Sequence, residues 1–520
     1  MTQRPVLVIA LDGYEASLAA AMAADGLLPA LTALNGRGAC FALDHDGDAK
    51  RTGLAGEHFA TGLTPDAARR WSAVHFDRRS YDIVQPPTVL PPFAAGLSAR
   101  TVVFDPAYFD LEQAPSVRGV VSWGAHDPGV PPASRPASLQ QEMLERFGPY
   151  PAQSWIYGFV WHSLEKTKAM GADLAKAVDV RAEAATWLLK DRLPDWDLAV
   201  VMVSECHSAI EGLWHGVDPG HPLHGVASAR AAGEGVREVY KAIDRLVGKL
   251  VAAFPDASVV LFSMHGMGSN DADIASMVLL PELLYRDAFG KPYLAQGGWD
   301  RNADGVPMLA EDGDWHEEMR VLAPDARSRF DRLRARLTGR VGFPIDWMPG
   351  ARYRPFWPRM PAFALPSYYD GRIRINLAGR EARGRTPLAG YRAACDRLED
   401  LVGACRDPLT GQPAAASIQR SGRNDPRDLS PTEADIVITW AGAPLGFDHP
   451  ALGRIGPTPY RRTGGHTGRH GMAVIAGERV KAGSYGVASA FDIAPTIVDM
   501  VGGRLATPIS GASLLAAIRA

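Results

Sequence analysis

Between residues 197 and 224 the chain reads DLAVVMVSECHSAIEGLWHGVDPGHPLH, a stretch dense in side chains that bind cations or move protons: Glu205, His207, Glu211, His215, Asp218, His221 and His224. Imidazole nitrogens and carboxylate oxygens are the donors that zinc and manganese take from proteins. His207, Glu211 and His215 stand at i, i+4 and i+8, so a helix continuing from the turn sets them on one face, where two can chelate one ion. The plain alternative is a solvated histidine-rich loop, and the density of donors favours metal.

Such donors need a rigid platform, and the apolar run at 198–203 supplies one, since it reads as a strand buried on both faces of a parallel sheet. Sites in open α/β sheets lie at the carboxyl ends of strands. Two other apolar runs end in the same way. Residues 5–11 lead into Asp12, which either holds a metal or caps a turn, and residues 258–262 lead into SMHGMG with His265 at the tip. A late polar loop, RRTGGHTGRHG, places His466 and His470 among glycines that let backbone approach a ligand. His126 and Asp127 have no spacing that ties them to these tips, and they read as loop residues.

The tips imply alternating strands and helices. Residues 171–191 read as helix, and residues 235–251 carry Val236, Val239, Tyr240, Ile243, Leu246, Val247 and Leu250 at the helical period. This is the pattern of an α/β protein with a doubly wound, mostly parallel sheet sandwiched by helices. From 271 to 430 the rhythm breaks. Pro344, Pro349, Pro355, Pro358, Pro361 and Pro366 accompany Trp347, Trp357 and several arginines, which suits an inserted α+β cap. Within it, 370–381 reads as a hairpin or edge strand and 391–405 as a short helix. The core pattern resumes at 434–440 and 472–477 and closes on a Pro-initiated helix in FDIAPTIVDMVGG. The organisation expected is a core from 1 to 270, a cap from 271 to 430 and the rest of the core from 431 to 520.

A chain of 520 residues exceeds the usual single domain, which agrees with an insertion. With 46% apolar and 22% charged residues it falls among globular proteins. A net charge of -3 gives no case for nucleic acid or an anionic membrane as partner. Cys40, Cys206, Cys395 and Cys405 form no CxxC pair, so a reducing, cytoplasmic compartment is expected. Asp12 and Gly13 interrupt the first apolar run early, so it reads as a strand rather than a signal core. No stretch approaches the ~20 apolar residues that span a bilayer, so a soluble protein is expected.

Thr52, in KRTGLAGEHFATGLTP, stands nine residues before Thr61, which Gly62 and then Pro65 follow. A threonine hydroxyl is a poor nucleophile at neutral pH unless a Lewis-acidic cation favours its alkoxide; without metal, Thr52 is an ordinary cap. In this spacing, and in the order LVIALDG, the Thr52 segment, the acid-and-histidine cluster, SMHGM, GGHTGRHG and DIAPTIVDMVG, the chain resembles the type I phosphodiesterase/nucleotide pyrophosphatase branch of the alkaline phosphatase superfamily over nearly its whole length. The resemblance implies two divalent metals, zinc first and manganese second, with in-line attack by the Thr52 oxygen. It assigns Asp12, Thr52 and His265 to one metal and His207, Glu211 and His466 to the other. Two departures stand out. The family has Asp and then His where this chain has His207 and Glu211, and it has Asp where Met264 precedes His265. A thioether is a poor zinc ligand, which leaves that site weakened, rebuilt with Glu205 or His215, or lost. The asparagine that steadies the phosphoryl oxygens has no clear counterpart, and Arg51 or Lys50 would supply the positive charge.

The expectation is a metal-dependent hydrolase of phosphodiester or pyrophosphate bonds in a small-molecule ester, working through a covalent threonine intermediate. Phosphomonoester or phosphonate hydrolysis, transfer of the group to an alcohol, and binding of a phosphorylated ligand without turnover are the alternatives, the last motivated by Met264. The sulfatase motif CxPxR is excluded because Phe, Ala and Leu follow Cys40, and the serine motif of cofactor-independent phosphoglycerate mutases is missing.

Overall fold

A computed structural model of the chain describes residues 4–327 and 345–519, and Pro344 lies outside them. The strand Val6–Leu11 is buried along its whole length because parallel neighbours flank it on both sides. Val6 faces Leu198 and Leu11 faces Val203 on one side, while Val6 faces Ser258 on the other. Side chains alternate between faces, so Leu7, Ile9 and Leu11 enter one core while Val6, Val8 and Ala10 enter another. Both faces are apolar, as a strand covered by helices on both sides requires. Each fully buried Leu, Ile or Val contributes about 1.5–3 kcal/mol.

These strands are the middle of a nine-stranded sheet, which runs from edge to edge as Gly483–Ser489, Ala39–Asp44, Gly471–Ala476, Ser258–Ser263, Val6–Leu11, Leu198–Val203, Thr101–Phe104, Arg118–Val121 and Ala133–Arg135. Pairing is parallel from Ser258–Ser263 to Arg118–Val121. Gly471–Ala476 is antiparallel to both its neighbours, and Ala133–Arg135 is antiparallel at its edge. The fold is α/β, with a large mixed central sheet flanked by helices.

Helices Leu164–Trp187 and Ala229–Ala253 supply the core on one face. They meet at Gly171 and Gly235, where a Cβ on Gly171 would lie 2.6 Å from the Gly235 Cα, so only a glycine pair permits this approach. Helix Ile493–Met500, with Pro495 in its first turn, packs into the core of the other face. No single helix among the described residues is long and apolar enough to cross a membrane.

A second, antiparallel sheet runs Ala362–Leu365, Gly371–Ile375, Ile436–Trp440 and Ala415–Arg420 over its own core. It corrects two expectations. The segment 370–381 holds an inner strand rather than a hairpin or edge: Arg372 and Arg374, which suggest an exposed face, are buried and neutralised by Asp370 and Glu381. The strand expected to resume the main sheet at 434–440 belongs here instead, since alternation shows that a strand forms but not which sheet it joins. The main sheet resumes at Gly471–Ala476. Helix Tyr391–Gly403 forms where expected.

Candidate metal centre and active site

Val6–Leu11, Leu198–Val203 and Ser258–Ser263 are adjacent and parallel, so their carboxyl ends open on one side of the sheet. Asp12 follows the first strand, and helix Glu205–Leu213 follows the second after one residue. His265 lies just beyond the third. The chain turns after Asp12 through Gly13 at φ +66, and a Cβ there would lie 2.8 Å from the His207 Cγ; glycine serves both the turn and the close approach.

His207 is the hub. Its Nδ1 lies 3.0 Å from Asp12 Oδ2, which fixes the tautomer by N–H donation to the carboxylate and turns Nε2 inward as a lone pair. That Nε2 lies 3.4 Å from Glu211 Oε1, one helical turn on, and 3.1 Å from His466 Nε2. Donor atoms around a tetrahedral zinc ion lie ~3.3 Å apart, so these spacings fit a divalent cation. Tyr369 places its hydroxyl 3.0 Å from the same His466 nitrogen, while His466 Nδ1 is buried without a partner. His265, with Nδ1 3.1 Å from the Gly266 carbonyl, lies tilted against His466 at 4.0 Å between ring centroids.

His126, passed over in the sequence, belongs to this cluster. Its ring stacks on His207 at 3.9 Å, and its Nε2 lies 3.8 Å from Glu211 Oε2. Ligand atoms of His126, His207 and Glu211 all lie within 4.8 Å of one another. Nothing in the spacing pointed to it, because its loop arrives from the far half of the sheet. Arg462, also missed, pairs with Glu211 and with Asp273, the latter at 2.9 Å.

Other expected residues are placed differently. Thr52 is buried, and its hydroxyl donates to the Ala49 carbonyl at 2.8 Å and accepts from the Leu54 N–H at 3.2 Å. Neither contact joins it to Asp12, His265 or His466, although Gly53 next to it lines the same cleft as Asp12, His207 and His466. Glu205 is taken by Arg181, whose Nε lies 3.0 and 3.1 Å from the two carboxylate oxygens. His215 faces Thr463, with Nδ1 3.4 Å from the hydroxyl oxygen. Arg51 is half-buried, and its charge is felt by Asp271, which burial nonetheless pushes up to about 6. Met264 is buried beside Asp12, Ala55, Phe59 and His265 in a small cavity.

Burial favours the neutral form of His126, His265 and His466. Burial lowers His126 and His265 to about 4; His58, whose Nδ1 lies 3.0 Å from His45 Nε2 behind the cluster, is lowered to about 3, also by burial. Burial raises Asp12, but the imidazole of His207, lying against the carboxylate and hydrogen-bonded to it, outweighs burial and holds the carboxyl below its usual range. Neutral imidazoles and an ionised carboxylate are the forms that take a cation. The unfolded chain binds protons on these histidines near 6.5 and the folded chain only near 3 to 4. Their contribution to stability is therefore complete above pH 6.5 and is lost as pH falls from 6.5 towards 4. Urea unfolding of metal-free protein should show a lower midpoint at about pH 5 than at about pH 7.5; equal midpoints would contradict this.

Beside the cluster opens a cavity of about 370 Å³, lined by Tyr157, Phe159, Trp347, Tyr368, Tyr369 and Arg461 among others, and by His126, Glu211 and Arg462 from the cluster side. Aromatic faces and arginines thus lie beside the histidine and carboxylate cluster.

The sequence model of the family described as type I phosphodiesterase / nucleotide pyrophosphatase matches residues 6–340. No curated protein matches the chain. Among solved structures, phosphonoacetate hydrolase from Sinorhizobium meliloti 1021, in complex with phosphonoformate, aligns over 96% of each chain at 14% identity with a TM-score of 0.48. Human ectonucleotide pyrophosphatase / phosphodiesterase 5 aligns over 99% of this chain and 100% of its own at 11% identity, with a TM-score of 0.46.

Proposed function

Since the chain belongs to the type I phosphodiesterase / nucleotide pyrophosphatase family, and is a phosphoester hydrolase, we propose that it cleaves phosphodiester or pyrophosphate bonds of a small-molecule ester, with a divalent cation at His207, Glu211 and His466 and with Thr52 as nucleophile. The observation that carries this reading is the meeting of His207, Glu211, His126 and His466, brought together from separate parts of the chain, beside a cavity. Zinc is the first choice of cation and manganese the second. Bound there, the cation supplies Lewis-acid stabilisation of the phosphoryl oxygens.

The chain's own groups do the rest. Asp12 holds the His207 tautomer, and the Tyr369 hydroxyl, which meets His466 at Nε2, gives that nitrogen up when the cation takes it. Rotation about the Thr52 side chain frees its hydroxyl from Ala49 and turns it to the cleft that Gly53 lines. The Thr52 oxygen then forms a bond to phosphorus and gives up its proton while the bond to the leaving oxygen breaks, the proton ending on that oxygen; water later breaks the threonine ester, its oxygen going to phosphorus and one proton restoring the hydroxyl. Residues 271–430 act as a cap that shapes the leaving-group side, through Trp347, Tyr368 and Tyr369. Four free cysteines suit a reducing, cytoplasmic compartment.

Reloading chelated protein with Zn²⁺ or Mn²⁺ and offering p-nitrophenyl mono- and diesters of phosphate, a phosphonate ester and a dinucleotide pyrophosphate tests the reading. Turnover of the diester or the pyrophosphate, restored by metal, is expected. Turnover of the phosphonate alone would move the assignment to phosphonate hydrolysis, and turnover unaffected by chelation would remove the cation from it.

A further inference from the structure

Resting on that reading, we propose that this chain holds one divalent cation rather than two, with His126 as a ligand alongside His207 and Glu211. His126 and His207 are built alike. Each ties one ring nitrogen to an outer acceptor, Nδ1 of His126 to the Ile156 carbonyl at 2.7 Å and Nδ1 of His207 to Asp12 at 3.0 Å. Each therefore directs Nε2 at the Glu211 carboxylate, at 3.8 and 3.4 Å. An imidazole whose far nitrogen is anchored to a carbonyl or carboxylate is the form that metal-ligating histidines take. Arg462 neutralises Glu211 here and keeps Asp273 as partner when Glu211 turns to a cation.

The second position is short of donors. Asp12 spends Oδ2 on His207. Met264 offers a thioether where a carboxylate would complete the set. The Thr52 hydroxyl is held by Ala49 and Leu54, and Glu205 and His215, the substitutes the sequence offered, are engaged with Arg181 and Thr463. Of the donors expected there, His265 has Nδ1 on the Gly266 carbonyl and Asp12 has one oxygen beyond the one His207 takes, and an imidazole with one carboxylate oxygen does not complete a four-coordinate site.

Titration of chelated full-length protein with Co²⁺, followed by visible absorption and by metal analysis after ultrafiltration, tests this. A single break at one equivalent is expected. His126→Ala should weaken Co²⁺ binding by at least ~10²-fold, with circular dichroism as the check on folding, and His126→Gln should behave likewise if the alanine variant does not fold. His265→Ala should still bind one equivalent. Breaks at both one and two equivalents, or wild-type affinity in a folded His126 variant, would overturn the inference and leave the hydrolase reading intact. No binding at all would remove both.

Discussion

Thr52→Ala is expected to lower turnover of a chromogenic phosphodiester by at least ~10³-fold while the protein stays folded. The threonine oxygen is the atom that bonds to phosphorus in this account, and alanine has nothing to put in its place. The folding cost is small by comparison. The substitution deletes one hydrogen bond to Ala49 and one from Leu54, about 1 kcal/mol each. Thr52→Ser keeps the hydroxyl and both bonds, so it should retain measurable turnover, and this separates loss of the nucleophile from loss of a local cap. Unchanged turnover in Thr52→Ala would eliminate Thr52 and leave direct attack by water.

How much of this was legible before the structure depends on the distance over which each feature is encoded. Asp12 and His265 could be read because apolar runs mark buried strands and the residue at a strand's tip is local information. His207 and Glu211 could be read because helical spacing is local too. His126 could not. Its loop reaches His207 only because Thr101–Phe104 pairs with Leu198–Val203 and Arg118–Val121 pairs with Thr101–Phe104, and that order of strands is not written in either segment. Tyr369 and Arg462 arrive over similar distances. Glu205 has the chemistry of a ligand and the right position in sequence, but Arg181, on another helix, holds it in a buried ion pair and pairs with Asp105 as well. The direction of the Thr52 hydroxyl is a rotamer choice that no spacing reports. The strand at Ile436–Trp440 was visible, yet its sheet was not.

His207→Ala should have the largest effect on the centre itself. This side chain contacts Asp12, Glu211 and His466 and stacks on His126, so its removal takes a ligand and also the link that orders the others. Cation affinity is expected to fall by at least ~10²-fold, and metal-restored turnover by ~10³-fold. Asp12→Asn is the informative contrast. An amide oxygen still accepts the Nδ1–H of His207 but carries no charge, so affinity should fall only ~10- to 100-fold, the range of an outer partner. Equal losses in the two variants would make Asp12 a direct ligand; no loss in His207→Ala would move the cation elsewhere.

The most direct test of the account is anomalous X-ray scattering at the zinc edge from crystals of zinc-loaded protein. A peak is expected within ~2.3 Å of His207 Nε2 and of a Glu211 oxygen, at the mouth of the cavity that Tyr369 and Arg461 line. An empty cluster in protein that still hydrolyses the diester would contradict it.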